Sequence, residues 1–260
     1  METNQLFSLS RLWRVMHRYM VENRATLILG AALILALMLI IGAILGFQAT
    51  EELAEAQVEA AATAYMCVTA LACIIIASGL FATLNTPSGA VSFLTLPATP
   101  YEICLSRWII AVPLCLAWCF ACIFLAEAAR IGIALMVRVE TVYRVPIDLL
   151  FAPNMGLSIF PLLYVKGILT IQSFFLLGSI LWRGQNLIKT IGAIGAIGVF
   201  LYLVSSGVTI ACIYFGARIP FTFYLAPTAY FSGVLCYILI IFNYTLTLIR
   251  LREAEVIQRW

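Results

Sequence analysis

Asn85 to Arg107 reads NTPSGAVSFLTLPATPYEICLSR and lies between two long apolar runs. Two helix starts of the same kind are written into it. Thr86-Pro87 and Thr99-Pro100 each place a capping hydroxyl before a proline suited to the first helical position. Glu102 follows Thr99 by three residues, so the second start has the pattern of a capping box. Pro97 stops the first short helix. The stretch therefore predicts a short helix, a break, and a second helix that runs through Arg107 and Trp108 into the next apolar run. A loop that only joins two membrane helices needs a few residues. This one is longer and carries apolar side chains suited to a partner surface: Val91, Phe93, Leu94, Leu96 and Tyr101.

The runs on either side fix the class. The chain has 260 residues, 64% hydrophobic and only 10% charged, with mean hydropathy +1.07. No soluble domain of this size keeps so little polar surface, so the expected fold is all-α and membrane-embedded. The net charge of +3 is small and scattered, which argues against nucleic acid as a partner. Of the eight cysteines, seven fall inside apolar runs and behave as small hydrophobes, without the pattern of a secreted disulfide framework.

Six runs are long enough to cross a bilayer, which takes about 20 residues. They lie near 25–47, 61–84, 108–126, 161–182, 188–215 and 225–249. Residues 1–24 precede them as an amphipathic interfacial helix. Arg11, Arg14 and Arg18 share one face, with Leu12, Val15, Met16, Tyr19 and Met20 roughly opposite. Residues 250–260 form a charged helical tail.

With six spans, the N-terminus, the 85–107 segment, the 183–187 turn and the C-terminus share one side. That side holds ten Lys and Arg residues against five on the other, which places both termini in the cytoplasm. The acidic loop of Glu51, Glu52, Glu55 and Glu59 then faces outward, as does the long connection 127–160. Residues 137–145 partly alternate and suggest a short strand there. Lys166 lies about one turn inside the fourth span, where it can snorkel outward.

Most chemistries lack their residues. The central parts of all six spans hold no Asp, Glu, Lys, Arg or His, which disfavours proton or ion coupling inside the membrane. Gln172 and Asn243 are the amide exceptions, suited to interhelical hydrogen bonds and available to a substrate pathway. One His (His17) and one Asp (Asp148) cannot furnish a catalytic or metal constellation in the bundle, so no enzyme activity is expected. Cys115, Cys119 and Cys122 share a helix face; packing of small residues explains that spacing without a metal. Gly184 to Thr190 lacks the second glycine of a phosphate loop and follows no strand. Neither cofactor nor metal is called for. Gly42 and Gly46, and then Gly192, Gly195 and Gly198, allow close helix approach, within the chain or toward a second copy.

A membrane protein with a docking segment and no fuel of its own suggests an external motor. The layout resembles the type-2 ATP-binding-cassette (ABC) exporter permeases. Phe93-Leu94-Thr95-Leu96-Pro97-Ala98-Thr99-Pro100-Tyr101-Glu102, followed by Leu105-Ser106-Arg107-Trp108, is similar to a stretch of small permeases associated with Bacteroidetes-like bacteria. Gln172 to Ser179 and Lys189-Thr190 match less specific features of the same group. The resemblance covers nearly the whole chain in layout and some twenty residues in motif. It implies a single permease domain over residues 1–260: an interfacial elbow helix, six spans in the bacterial inner membrane, and a coupling helix between spans two and three. It also implies a dimer of permeases, each copy seated on a separate ABC ATPase subunit. Phe93, Leu94, Leu96, Pro97, Thr99, Pro100, Tyr101, Glu102 and Arg107 would form the ATPase-coupling segment. Members often carry re-entrant helices before the last span, and Gly216–Pro227 is short for them. A non-transporting membrane scaffold is the rival reading, and a secondary transporter a third.

Overall fold

The computed structural model describes residues 7–49, 54–85, 89, 98–137, 160–182, 185–214 and 222–257, and every regular element among them is helical. In chain order these are α1 (Leu9–Glu22), α2 (Arg24–Phe47), α3 (Ala54–Gly79), a short 3-10 turn (Ala82–Asn85), α4 (Pro100–Ile109), a π-helical segment (Ile110–Leu114), α5 (Cys115–Met136), α6 (Phe160–Leu181), α7 (Asn186–Tyr214) and α8 (Thr222–Ile257). The expected short helix after Thr86 lies outside the described residues, as does the expected strand beyond Val137.

Five helical stretches among the described residues are long and apolar enough to cross a membrane: Arg24–Phe47, Ala56–Leu84, Pro100–Met136, Asn186–Val204 and Val234–Glu253. The chain is therefore a multi-pass membrane protein. Leu29, Leu33, Phe200 and Ile241 stand exposed on these helices, as lipid-facing side chains do.

The stretch from Pro100 to Met136 is 37 residues, about 55 Å of helix, nearly twice the hydrocarbon thickness. Its charged residues fall at its two ends, Glu102 and Arg107 before the apolar run and Glu127 and Arg130 after it. The uncharged stretch from Trp108 to Ala126 is by itself long enough to cross the bilayer, with both charged pairs beyond it. Pro113 lies within this stretch, in the π-helical segment. A proline removes one N–H and crowds the carbonyl four residues back; the wider π turn accommodates both.

Contacts group the chain into two compact units, Met1–Ile76 with Thr95–Leu169, and Ala77–Leu94 with Thr170–Trp260. In the first, α2 lies along α5, and the two helices approach closely at Gly42 and Gly46. A Cβ on Gly42 would stand 2.5 Å from the Ala126 carbonyl oxygen, and one on Gly46 2.8 Å from that of Arg130. Met38, Tyr65, Cys73, Cys119 and Ala126 fill the core around this contact with no exposed surface.

In the second unit, Gly178 of α6 lies against Thr190 of α7. Asn243 Nδ2 of α8 donates to Ser173 Oγ of α6 at 2.9 Å. Both side chains are buried, as is Gln172 beside them. Gly192, Gly195 and Gly198 have nothing within 4 Å of the place a Cβ would occupy, so their stripe packs against no described part of the chain.

Candidate functional site at the start of α4

The capping box written in the sequence is formed. Thr99, in extended backbone, accepts the Glu102 N–H on its Oγ1 at 3.3 Å. Glu102 Oε2 accepts the Thr99 N–H at 3.0 Å. Two donors of a helix start are thereby satisfied within one turn.

The other carboxylate oxygen reaches a second helix. Glu102 Oε1 accepts the backbone N–H of Ser8 at 2.7 Å. Ser8 is the N-cap of α1, and its own side chain caps nothing in that helix. One carboxylate therefore sits at two helix N-termini, where both macrodipoles favour negative charge. Arg11 Nη2 lies 3.2 Å from the same oxygen. Glu102 has no exposed surface.

A second contact closes the other end of the α1–α4 pair. The Arg107 guanidinium lies 3.5 Å over the centre of the Tyr19 ring, close enough for a strong cation–π attraction in a buried setting. Glu102 and Arg107 are thus two anchors on α4, held by the beginning and the end of α1. Leu12 and Val15 of α1, and Ile103 and Ser106 of α4, are buried as well.

The electrostatics follow from this geometry. Burial pushes the Glu102 carboxyl upward, but the backbone N–H groups of Thr99 and Ser8 and the Arg11 guanidinium outweigh it, leaving the group below its usual range. Burial holds the Tyr19 phenol above its ordinary value, with the Arg107 charge opposing. Burial brings Arg107 down to about 10, with Tyr19 and Glu22 opposing, so it stays cationic at neutral pH.

The expected coupling residues divide accordingly. Tyr101 is about half exposed, and Leu105, one helical turn on, points the same way. Glu102 and Arg107 face inward and hold α1, so neither offers its side chain to a partner. Thr99 and Pro100 build the helix start. Phe93, Leu94, Leu96 and Pro97 lie outside the described residues. Gln172 and Asn243 belong to the second unit, where Asn243 is taken up by Ser173.

The helix that carries the third span runs on beyond the expected run. The apolar run was expected to stop at Ala126, with 127–160 as an outward connection; α5 instead continues to Met136. Glu127 and Arg130 are therefore a buried helical pair, joined by Arg130 Nη2 to Glu127 Oε1 at 2.7 Å and Arg130 Nε to Glu127 Oε2 at 2.9 Å. The signal was present: an i, i+3 ion pair inside EAARIGIALM, whose apolar residues keep a helical period.

The thiols pack as small side chains. Cys73 Sγ stands 3.8 Å from Cys115 Sγ across α3 and α5. Cys119 lines an apolar cavity of about 90 Å³ with Met66, Thr69, Leu116, Phe120, Ile123 and Ile168. Among the described residues, no group of three or more His, Cys, Asp or Glu is placed to hold a metal ion. No protein-family model, curated protein or solved structure matches the chain.

Proposed function

We propose that this chain is the membrane subunit of an ATP-driven exporter of the type-2 ABC permease kind, moved by a separate ATPase. α4 is the coupling helix and α1 the elbow helix. α6, 22 residues long, supplies the sixth span beside the five long apolar stretches, and both termini face the cytoplasm. The chain pairs with a second permease subunit, a copy of itself or a related chain, to form the transport unit, each seated on one ATPase. The cargo crosses the inner membrane outward.

One observation supports this reading above the others. α4 is anchored at both ends of α1 and runs without a break into the span beyond it, while Tyr101 and Leu105 stay outward. A force on those two side chains would move α4 and its span together, because a continuous helix transmits displacement as a rigid element. The uncharged middles of the expected spans fit an outside fuel better than an ion gradient.

The test is co-expression with a cognate ABC ATPase and purification of the complex. Tyr101→Ala and Leu105→Ala alter exposed side chains and leave the fold intact. Loss of an aromatic anchor typically weakens an interface by about 2 kcal/mol or more, roughly 30-fold. Complex recovery and permease-dependent ATP hydrolysis should fall accordingly. Unchanged assembly and hydrolysis in the double variant would remove α4 as the coupling element.

A further inference from the structure

Thr69 lies near the middle of Ala56–Leu84, and Cys119 near the middle of the uncharged stretch from Trp108 to Ala126. Both line the apolar cavity of about 90 Å³ between α3, α5 and α6. Two helices that each suffice to cross the bilayer thus meet the cavity at mid-length, which sets it near the membrane midplane. Ile168, close to the middle of α6, forms the third wall.

The lining decides what can enter. Of the residues around the cavity, only Thr69 carries a hydroxyl, and its Oγ1 donates to the Tyr65 carbonyl at 2.9 Å, back along its own helix. A buried water needs several polar partners, and these walls do not offer them. A polar ligand would leave its own groups without partners for the same reason. Left empty, the walls forgo the dispersion contacts of a filled core. A hydrocarbon ligand meets both conditions, and at this depth acyl chains are the solvent. The way in lies along α5. Leu116 and Phe120 are the half-buried members of the lining, and Phe124, one turn past Phe120, is 58% exposed.

We propose that this cavity is a binding site for the terminal carbons of a phospholipid acyl chain. Depth and size agree on the part of the lipid concerned. Chain ends lie at the midplane. The volume of about 90 Å³ is smaller than the roughly 150 Å³ apolar cavity that admits benzene, so it has room for a few carbons and not for a whole chain. Hydrophobicity does not drive entry, since the chain leaves hydrocarbon for hydrocarbon; filling the void does. A chain end seated there touches α3, α5 and α6 at once, which a lipid sliding over an even helix surface does not. The site rests on the membrane-crossing helices and not on the exporter reading.

The test uses the full chain in nanodiscs and needs no ATPase. The probe is phosphatidylcholine carrying a diazirine at the acyl terminus or, in a parallel sample, beside the ester. After illumination, peptide mass spectrometry locates the carbene adducts. Leu71, exposed and two residues from Thr69, reports ordinary lipid contact at the same depth. Thr69 and Cys119 are buried, so a probe reaches them through the cavity. With the terminal probe, adducts at both should come within about 3-fold of those at Leu71, and the ester-side probe should give neither. Cys119→Leu fills part of the void and should cut the Thr69 adduct by about 5-fold or more while leaving Leu71 unchanged. Ile123→Val widens the cavity by one methyl and should keep or raise the Thr69 adduct, a check that stands even if the leucine variant does not fold. Labelling of Leu71 with none at Thr69 or Cys119 overturns the proposal. So does equal labelling of the buried pair by the two probes, an unchanged Thr69 adduct in folded Cys119→Leu, or a fall in Ile123→Val.

Discussion

Glu102 Oε1 and the amide nitrogen of Ser8 lie 2.7 Å apart although 94 residues separate them in the chain. All the groups named around this carboxylate are donors: the Ser8 and Thr99 N–H groups and the Arg11 guanidinium. Glu102→Gln would turn an amide NH2 toward at least one of them, so an isosteric swap is no rescue. Leaving buried donors and a facing arginine without their acceptor costs about 2–4 kcal/mol. Both Glu102→Gln and Glu102→Ala should lower the midpoint of thermal unfolding in nanodiscs and quicken proteolytic cleavage within α1. A Gln variant with wild-type stability and protection would mean that Glu102 does not hold the two helices together.

The same carboxylate gives a pH dependence of definite sign. Its folded-state pKa is held below the unfolded value, so the carboxylate form is the one folding favours. Its stabilising share is complete above the unfolded value of about 4.3 and is lost as pH falls through the folded one. Stability measured from neutral pH downward should therefore decline in the acid range, and the part of that decline due to this site should vanish in Glu102→Gln. Parallel pH profiles for wild type and variant would show that another carboxylate carries the effect.

The start of α4 was legible in the sequence because capping is local: Thr99, Pro100 and Glu102 specify it within four positions. The side chain's second task was not legible, because nothing in a linear pattern says that Ser8 would lie beside it. The long apolar helices were legible from length and composition. The end of α5 was legible only as the helical period of EAARIGIALM, which the charged pair at Glu127 and Arg130 masks by reading as the edge of a span, while the fold keeps the helix and buries the pair. The glycines show the same limit. GxxxG at Gly42 and the threefold stripe on α7 look alike as strings, yet the first meets a carbonyl and the second open space.

That difference is measurable. A methyl on Gly42 or Gly46 would press on the backbone carbonyls of Ala126 and Arg130 at 2.5 and 2.8 Å, which no rotamer change relieves. Gly42→Ala and Gly46→Ala should each lose about 1–3 kcal/mol through forced separation of α2 from α5. Gly192→Ala, Gly195→Ala and Gly198→Ala meet nothing among the described residues and remove flexible residues from a helix interior, so stability should hold or rise by up to about 1 kcal/mol each. A second copy seated on that stripe would show itself as loss of dimer mass in detergent without loss of monomer stability. Tolerance at Gly42 equal to that at Gly195 would contradict the close approach of α2 and α5.

Glu127 and Arg130 test whether their pairing or their burial dominates. The guanidinium meets the carboxylate through two atoms, at 2.7 and 2.9 Å, and the Arg130 side chain is 3% exposed. Removing one partner strands a charge in a poorly hydrated place, so Glu127→Gln or Arg130→Met alone should cost about 3–5 kcal/mol. The double variant removes both charges while keeping side-chain bulk, and buried pairs replaced by neutral groups are often as stable as the original. Its loss should fall well short of the sum of the singles, giving a coupling of about 1–3 kcal/mol in a double-mutant cycle. Tyr65 belongs in the same cycle, since its ring is fully buried and its phenol oxygen lies 3.2 Å from where a Cβ on Gly42 would stand. Tyr65→Phe keeps that packing and removes only the hydroxyl, so it should cost far less than either single charge removal. Strict additivity across Glu127 and Arg130 would mean that the two charges are solvated independently at the end of the span, and the buried pair would have to be abandoned.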